Sequence, residues 1–154
     1  MSKKSSGPGF KLDWKGEEVM KIVGTMMENI VSDLGHATAG NAMRELTKGH
    51  GKVTATLQRS IHAAPPGHAW SSDVGSGMKV GGKQIVAVRS GGKIRVEVGS
   101  GLEYAMAIHQ GWNNSNGLRG TFEGYHFLTN GVEKTRAQVP GIIRSNVIKY
   151  IGGG

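Results

Sequence analysis

Between Val19 and Leu34 apolar side chains return every three or four residues, as Val19, Ile22, Val23, Met26, Met27, Ile30 and Leu34. That period sets them along one face of an α-helix, and a face this wide has to be covered by something. Glu17 and Glu18 stand where they complement the positive end of the helix dipole. Gly35 reads as a C-terminal stop, although Ala37 to Leu46 can resume the helix. Gly24 costs about 1 kcal/mol against Ala inside the run, so its place there predicts a close helix contact. A second stripe closes the chain, with Val132, Val139, Ile143, Val147 and Ile151 interrupted by Pro140-Gly141, which predicts a kink or a split. Asn130 and Glu133 have capping-box spacing at its start.

Between the helices the period changes. Ile94, Val96 and Val98 alternate with Lys93, Arg95 and Glu97, the pattern of a half-buried strand, and Gln84 to Arg89 precede them across Ser90-Gly91-Gly92. This is a β-hairpin over about 83–99. A three-residue loop buries more apolar area than a two-residue one and sets Arg89 opposite Lys93. Val53 to Ile61 reads as a strand, or as a short helix leading into one. The expected fold is α+β: an antiparallel sheet with this hairpin at its centre, packed by the first helix and a kinked C-terminal helix. The expected core is Val19, Ile22, Val23, Met26 and Ile30, then Val86, Val88, Ile94, Val96 and Val98, then Phe127, Leu128, Ile143 and Val147.

A chain of 154 residues is one domain by length. Residues 1–16 read as a flexible arm, 17–151 as the domain and 152–154 as a frayed tail. The 26 glycines have no Gly-X-Y period, which excludes a collagen-like helix. They gather in long connections, notably 66–82 around Trp70 and the Gly111 to Gly117 stretch around Trp112. No apolar run approaches the roughly 18 residues of a membrane span, so no membrane partner is expected and the chain is expected to be made in a cytoplasm.

Most catalytic signatures fail on inspection. Gly51-Lys52 is followed by Val53 rather than Ser or Thr, and Leu46 stands where a phosphate loop needs its leading Gly. The six histidines include no His-x-x-x-His pair, and the nearest spacing, His62 to His68, crosses Pro65-Pro66. Gly99-Ser100-Gly101 falls short of a nucleophile elbow, and there is no cysteine for a thiolate. No catalytic residue, cofactor or metal site is expected. The net charge of +8 is uneven: residues 1–47 are neutral, 48–119 carry +6 and 120–154 carry +2. The excess attracts an anionic neighbour, whether nucleic acid or acidic protein. The aromatics are not interleaved with Lys93 and Arg95 as a base-stacking platform requires, so sequence-specific reading is not expected.

The order of short motifs carries a resemblance. Thr54, Leu57 and Ser60 form a Thr-x-x-Leu-x-x-Ser segment followed by Ile61. Val96-Glu97-Val98-Gly99-Ser100 ends a strand, Tyr104-Ala105 follows Gly101, and Phe127-Leu128 leads into an amphipathic helix. Over about residues 17–151 this order resembles the tail-completion, or head–tail joining, proteins of tailed bacteriophages. Ala55, His109-Gln110-Gly111 and Tyr125-His126 depart from the family's usual residues. The resemblance implies a non-catalytic virion subunit at the head–tail interface, assembled in the host cytoplasm. It implies a homo-oligomeric ring, commonly a hexamer, with the connector and the tail tube protein as partners and DNA passing through. On that reading the interface candidates are Trp70, Lys79, Lys83, Arg89, Lys93, Arg95, Trp112 and Arg119. A basic nucleic-acid-binding module and a minor capsid or decoration protein are the alternatives.

Overall fold

The computed structural model describes residues 16–46, 52–71, 84–113 and 120–152. Two long helices dominate: α1 over Gly16–Leu46 and α4 over Phe127–Ile151. Between them lie α2 (Lys52–Ser60), β1 (His62–Ala64), β2 (Val88–Ser90), β3 (Lys93–Arg95), β4 (Glu97–Gly99), α3 (Ala105–Gln110), β5 (Trp112–Asn113) and β6 (Thr121–Phe122). The α+β class is as expected, and the strands form three antiparallel two-stranded ladders, β1–β4, β2–β3 and β5–β6. The Val53 to Ile61 segment is the short helix leading into a strand. The arm reading of 1–16 lies outside the described residues except for Gly16, which opens α1, and the 66–82 loop reading lies outside them from 72 to 82.

Helix α1 does not stop at Gly35. That glycine is buried mid-helix, where an added Cβ would stand 2.8 Å from Val96 Cγ2 and 3.3 Å from the Ala63 Cβ, so it admits the sheet rather than ending the helix. Pro140 does not split α4, which begins at Phe127, three residues before the expected Asn130 cap. Its N-cap is His126, with a left-handed φ of 47° and no capping bond from its side chain.

The hairpin turn has two residues, not three. Gly91 and Gly92 hold φ of 57° and 72°, both positive as a type I′ turn requires, and that turn matches the twist of the strands it joins. The register pairs Arg89 with Ile94, Val88 with Arg95 and Ser90 with Lys93. Arg89 is therefore not opposite Lys93. It shares its face with Ile94, while Val88, Lys93 and Arg95 share the other.

The core sits at the C-terminal end of α1. Ala39, Ala42, Leu46, Leu57, Ile61, Ala105 and Phe127 form it, with Val98, Leu102, Tyr104, Ile108 and Leu128 packed around it. Of the expected core, Ile30, Val86 and Phe127 are buried, and Met26, Ile94, Val96, Val98, Leu128 and Val147 are half-buried. Val19, Ile22, Val23, Val88 and Ile143 are exposed, against expectation. Periodicity finds an apolar face without saying whether the chain itself covers it.

Candidate functional site

The contact between α1 and α4 carries a line of side-chain hydrogen bonds beside small and apolar residues. Thr135 Oγ1 accepts from Thr38 Oγ1 (3.1 Å) and from Asn41 Nδ2 (3.0 Å), and Asn41 Nδ2 also reaches Gln138 Oε1 at 3.1 Å. Asn146 donates to Asp33 at 2.8 Å, and Asn29 donates to the Tyr150 hydroxyl at 2.7 Å. Lys134 pairs with Glu45 near the other end. The helices approach closely because Gly131 faces α1, where an added Cβ would lie 2.9 Å from the Ala42 nitrogen and 3.0 Å from the Thr38 carbonyl oxygen. Thr135, Asn41 and Asn146 are buried, and each buried polar side chain among the described residues has a partner.

The apolar stripes therefore lie elsewhere on the pair. Residues 17–23 are all exposed, including Val19, Met20, Ile22 and Val23, and Met27 is exposed one turn on. Helix α4 ends one residue beyond the Tyr150 that meets Asn29, so the first turns of α1 run on without an α4 neighbour. Ile85 and Val88 add exposed apolar surface near the hairpin. On α4, Val132, Ile143, Ile148 and Ile151 are exposed, Ile148 at 60% and Ile151 at 74%. Large apolar side chains grouped on the outside of a domain mark an interaction surface.

The structure places the expected interface residues differently from one another. Lys79, Lys83 and Arg119 lie outside the described residues. Arg89 is exposed but lies along α1, with its Nε 3.4 Å from Glu28 Oε1 and its guanidinium over Gly24, on the opposite face of the hairpin from Lys93 and Arg95. Lys93 and Arg95 are exposed on the other face of the hairpin and make no ion pair among the described residues. Trp112 is exposed and packs at a 42° tilt on its cross-strand partner Phe122, with ring centroids 4.6 Å apart.

Trp70 is half-buried. Its ring packs on His62 (4.8 Å) and His68 (4.9 Å), and it borders a cleft of about 420 Å³ between β4, α3 and the start of α4. Val98, Leu102, Ala105, Met106, Phe127 and Leu128 give this cleft mainly apolar walls, with Glu97 and His109 at its margin. Burial and then the neighbouring His126 hold the pKa of His109 below its usual value. A neutral His109 suits the structure, because Nδ1 accepts the Leu128 N–H at 3.4 Å. Ser60 and Ser100, from two of the motifs quoted above, hydrogen-bond to each other at 2.6 Å, and Ser60 also donates to the Leu57 carbonyl. They fasten α2 to the end of β4. Among the described residues no three His, Asp or Glu side chains are grouped to hold a metal ion.

The outward stripes and the Trp70 cleft are the surfaces that sequence reasoning missed or misplaced. One signal for the stripes lay in the sequence. The positions between the apolar residues of α1 are unusually small, with Gly24, Ser32, Gly35, Ala39 and Ala42, and those are the ones that face the protein. No protein-family model, curated protein or solved structure matches the chain.

Proposed function

We propose that this protein is a structural subunit of a tailed-bacteriophage neck, forming a ring that completes the tail and joins it to the head connector. The observation that carries the reading is the apolar outside of the helix pair, with Val19, Met20, Ile22 and Val23 on α1 and Ile143, Ile148 and Ile151 on α4. A ring needs two different surfaces on each subunit, each meeting the other on a neighbour, and two separate stripes supply them. The order of motifs resembling the tail-completion proteins supports the same reading. The protein acts by contact, not catalysis: its partners are further copies of itself, in a hexamer on the resemblance, with the connector and the tail tube protein above and below. The outward Lys93 and Arg95 face an anionic neighbour, either an acidic protein or passing DNA. It works in the virion, after assembly in the host cytoplasm.

Sedimentation velocity and negative-stain imaging of the purified chain are expected to show rings, and Ile22→Asp is expected to return them to subunits. A virus lacking the protein is expected to accumulate unjoined heads and tails. Intact tailed particles at normal yield would remove the joining role. A monomer whose DNA affinity falls steeply with salt would favour a nucleic-acid-binding module instead.

A further inference from the structure

The segment after β1 brings two imidazoles to one point. His62 opens β1, and beyond Pro65-Pro66 the chain folds back so that His62 Nε2 and His68 Nε2 stand 3.4 Å apart. Their rings are nearly perpendicular, with centroids 5.4 Å apart. The other nitrogen of His62, Nδ1, lies 2.8 Å from the Ser60 carbonyl oxygen. A carbonyl can only accept, so Nδ1 carries the hydrogen and Nε2 presents its lone pair toward His68. That is the arrangement by which a backbone carbonyl orients a metal-binding imidazole.

Two imidazole nitrogens bound at tetrahedral angle to one ion stand about 3.4 Å apart, with ring centres roughly 5.2 Å apart. Both separations match those of His62 and His68. The surroundings hold the pair in place: Glu97 Oε1 accepts the Gly67 N–H at 3.3 Å, tying down the turn before His68. Trp70 lies against both rings.

We propose that His62 and His68 form a two-imidazole site for a divalent late transition-metal ion, Zn²⁺, Ni²⁺ or Cu²⁺, with water in the remaining positions. The ion staples the segment from Pro65 to Trp70 onto β1. This inference does not depend on the neck reading, since it rests on a different part of the molecule.

The full chain is titrated with Zn²⁺ alone by calorimetry, and with Cu²⁺ alone while tryptophan emission is followed. The expected result is one ion per chain, with Cu²⁺ quenching the emission of Trp70. His68→Gln is expected to weaken both titrations by at least about tenfold. Trp70→Phe is expected to remove most of the quenching while keeping the calorimetric binding. His109→Gln is the control, because His109 and His126 form another close ring pair at 5.7 Å, and it is expected to bind as the parent does. His62→Ala, checked for folding by circular dichroism, repeats the test from the other side of the pair. If His68→Gln titrates like the parent, or the parent gives neither heat nor quenching, the proposal is overturned and the pair is a plain N–H···N hydrogen bond. Loss of binding in His109→Gln overturns it too.

Discussion

The two ends of α1 meet opposite surroundings. Toward Leu46 the helix buries Ala39, Asn41 and Ala42 against α4 and the core around Phe127, whereas toward Gly16 it exposes Val19, Met20, Ile22 and Val23. The end that looks less hydrophobic in sequence is the better packed. Small residues let α4 approach until side-chain hydrogen bonds span the gap, and the large apolar residues are left exposed. Burial in the fold and hydrophobicity in the sequence are thus separate properties, and on the proposed reading the contrast between them marks the surface that meets a neighbour.

The sharpest way to break this comparison is at the packed end. Phe127 is only 1% exposed, and Phe127→Ala is expected to cost about 3–5 kcal/mol in denaturant unfolding. A value below about 1 kcal/mol would mean that the core does not sit there. Gly131→Val inserts a branched side chain where even a Cβ is 2.9 Å from α1, and about 1–3 kcal/mol of overpacking is expected. Thr135→Val removes the hydroxyl that accepts from both Thr38 and Asn41, and leaving the buried Asn41 amide short of a partner costs about 1–3 kcal/mol. At the open end the same measurement is expected to barely move. Ile22→Asp is expected to alter the stability of the chain by less than about 0.5 kcal/mol, since the residue is 53% exposed, and on the proposed ring reading its effect falls on assembly instead.

A smaller effect sharpens the picture of the cleft. With its native pKa lowered, His109 resists protonation when folded, while the unfolded chain takes up the proton at the ordinary value near 6.5. The unfolded state therefore binds more protons in the window below pH 6.5, so stability falls as pH falls through it, and above it the group contributes no slope. Urea midpoints between pH 7.5 and 5 are expected to decline less in His109→Asn than in the parent.

Some of this was legible in the sequence and some was not, for physical reasons. The long helices, the hairpin and the Phe127-Leu128 lead into α4 follow from period and turn chemistry, which are local. The hairpin register was missed because the burial argument favoured pairing Ile94 with Val88. The positive φ of Gly91 and Gly92 closes the turn one residue tighter and sends Arg89 to Glu28 on a helix more than fifty residues away. The seam was missed because Thr38, Asn41, Thr135 and Asn146 look like surface residues until two helices are laid side by side. Trp70 and the His62–His68 pair needed the fold-back after Pro65-Pro66, which no spacing rule reveals.

The hydrogen-bonded seam has one more consequence. A greasy interface between two helices can slide with little penalty, but one turn of slippage, about 5.4 Å, would unmake the bonds of Asn29, Asp33, Thr38 and Asn41 together. The seam is therefore a ruler. It fixes how far the exposed apolar residues of α4 are offset from those of α1, and if the proposed ring forms, that offset sets the pitch between one subunit and the next.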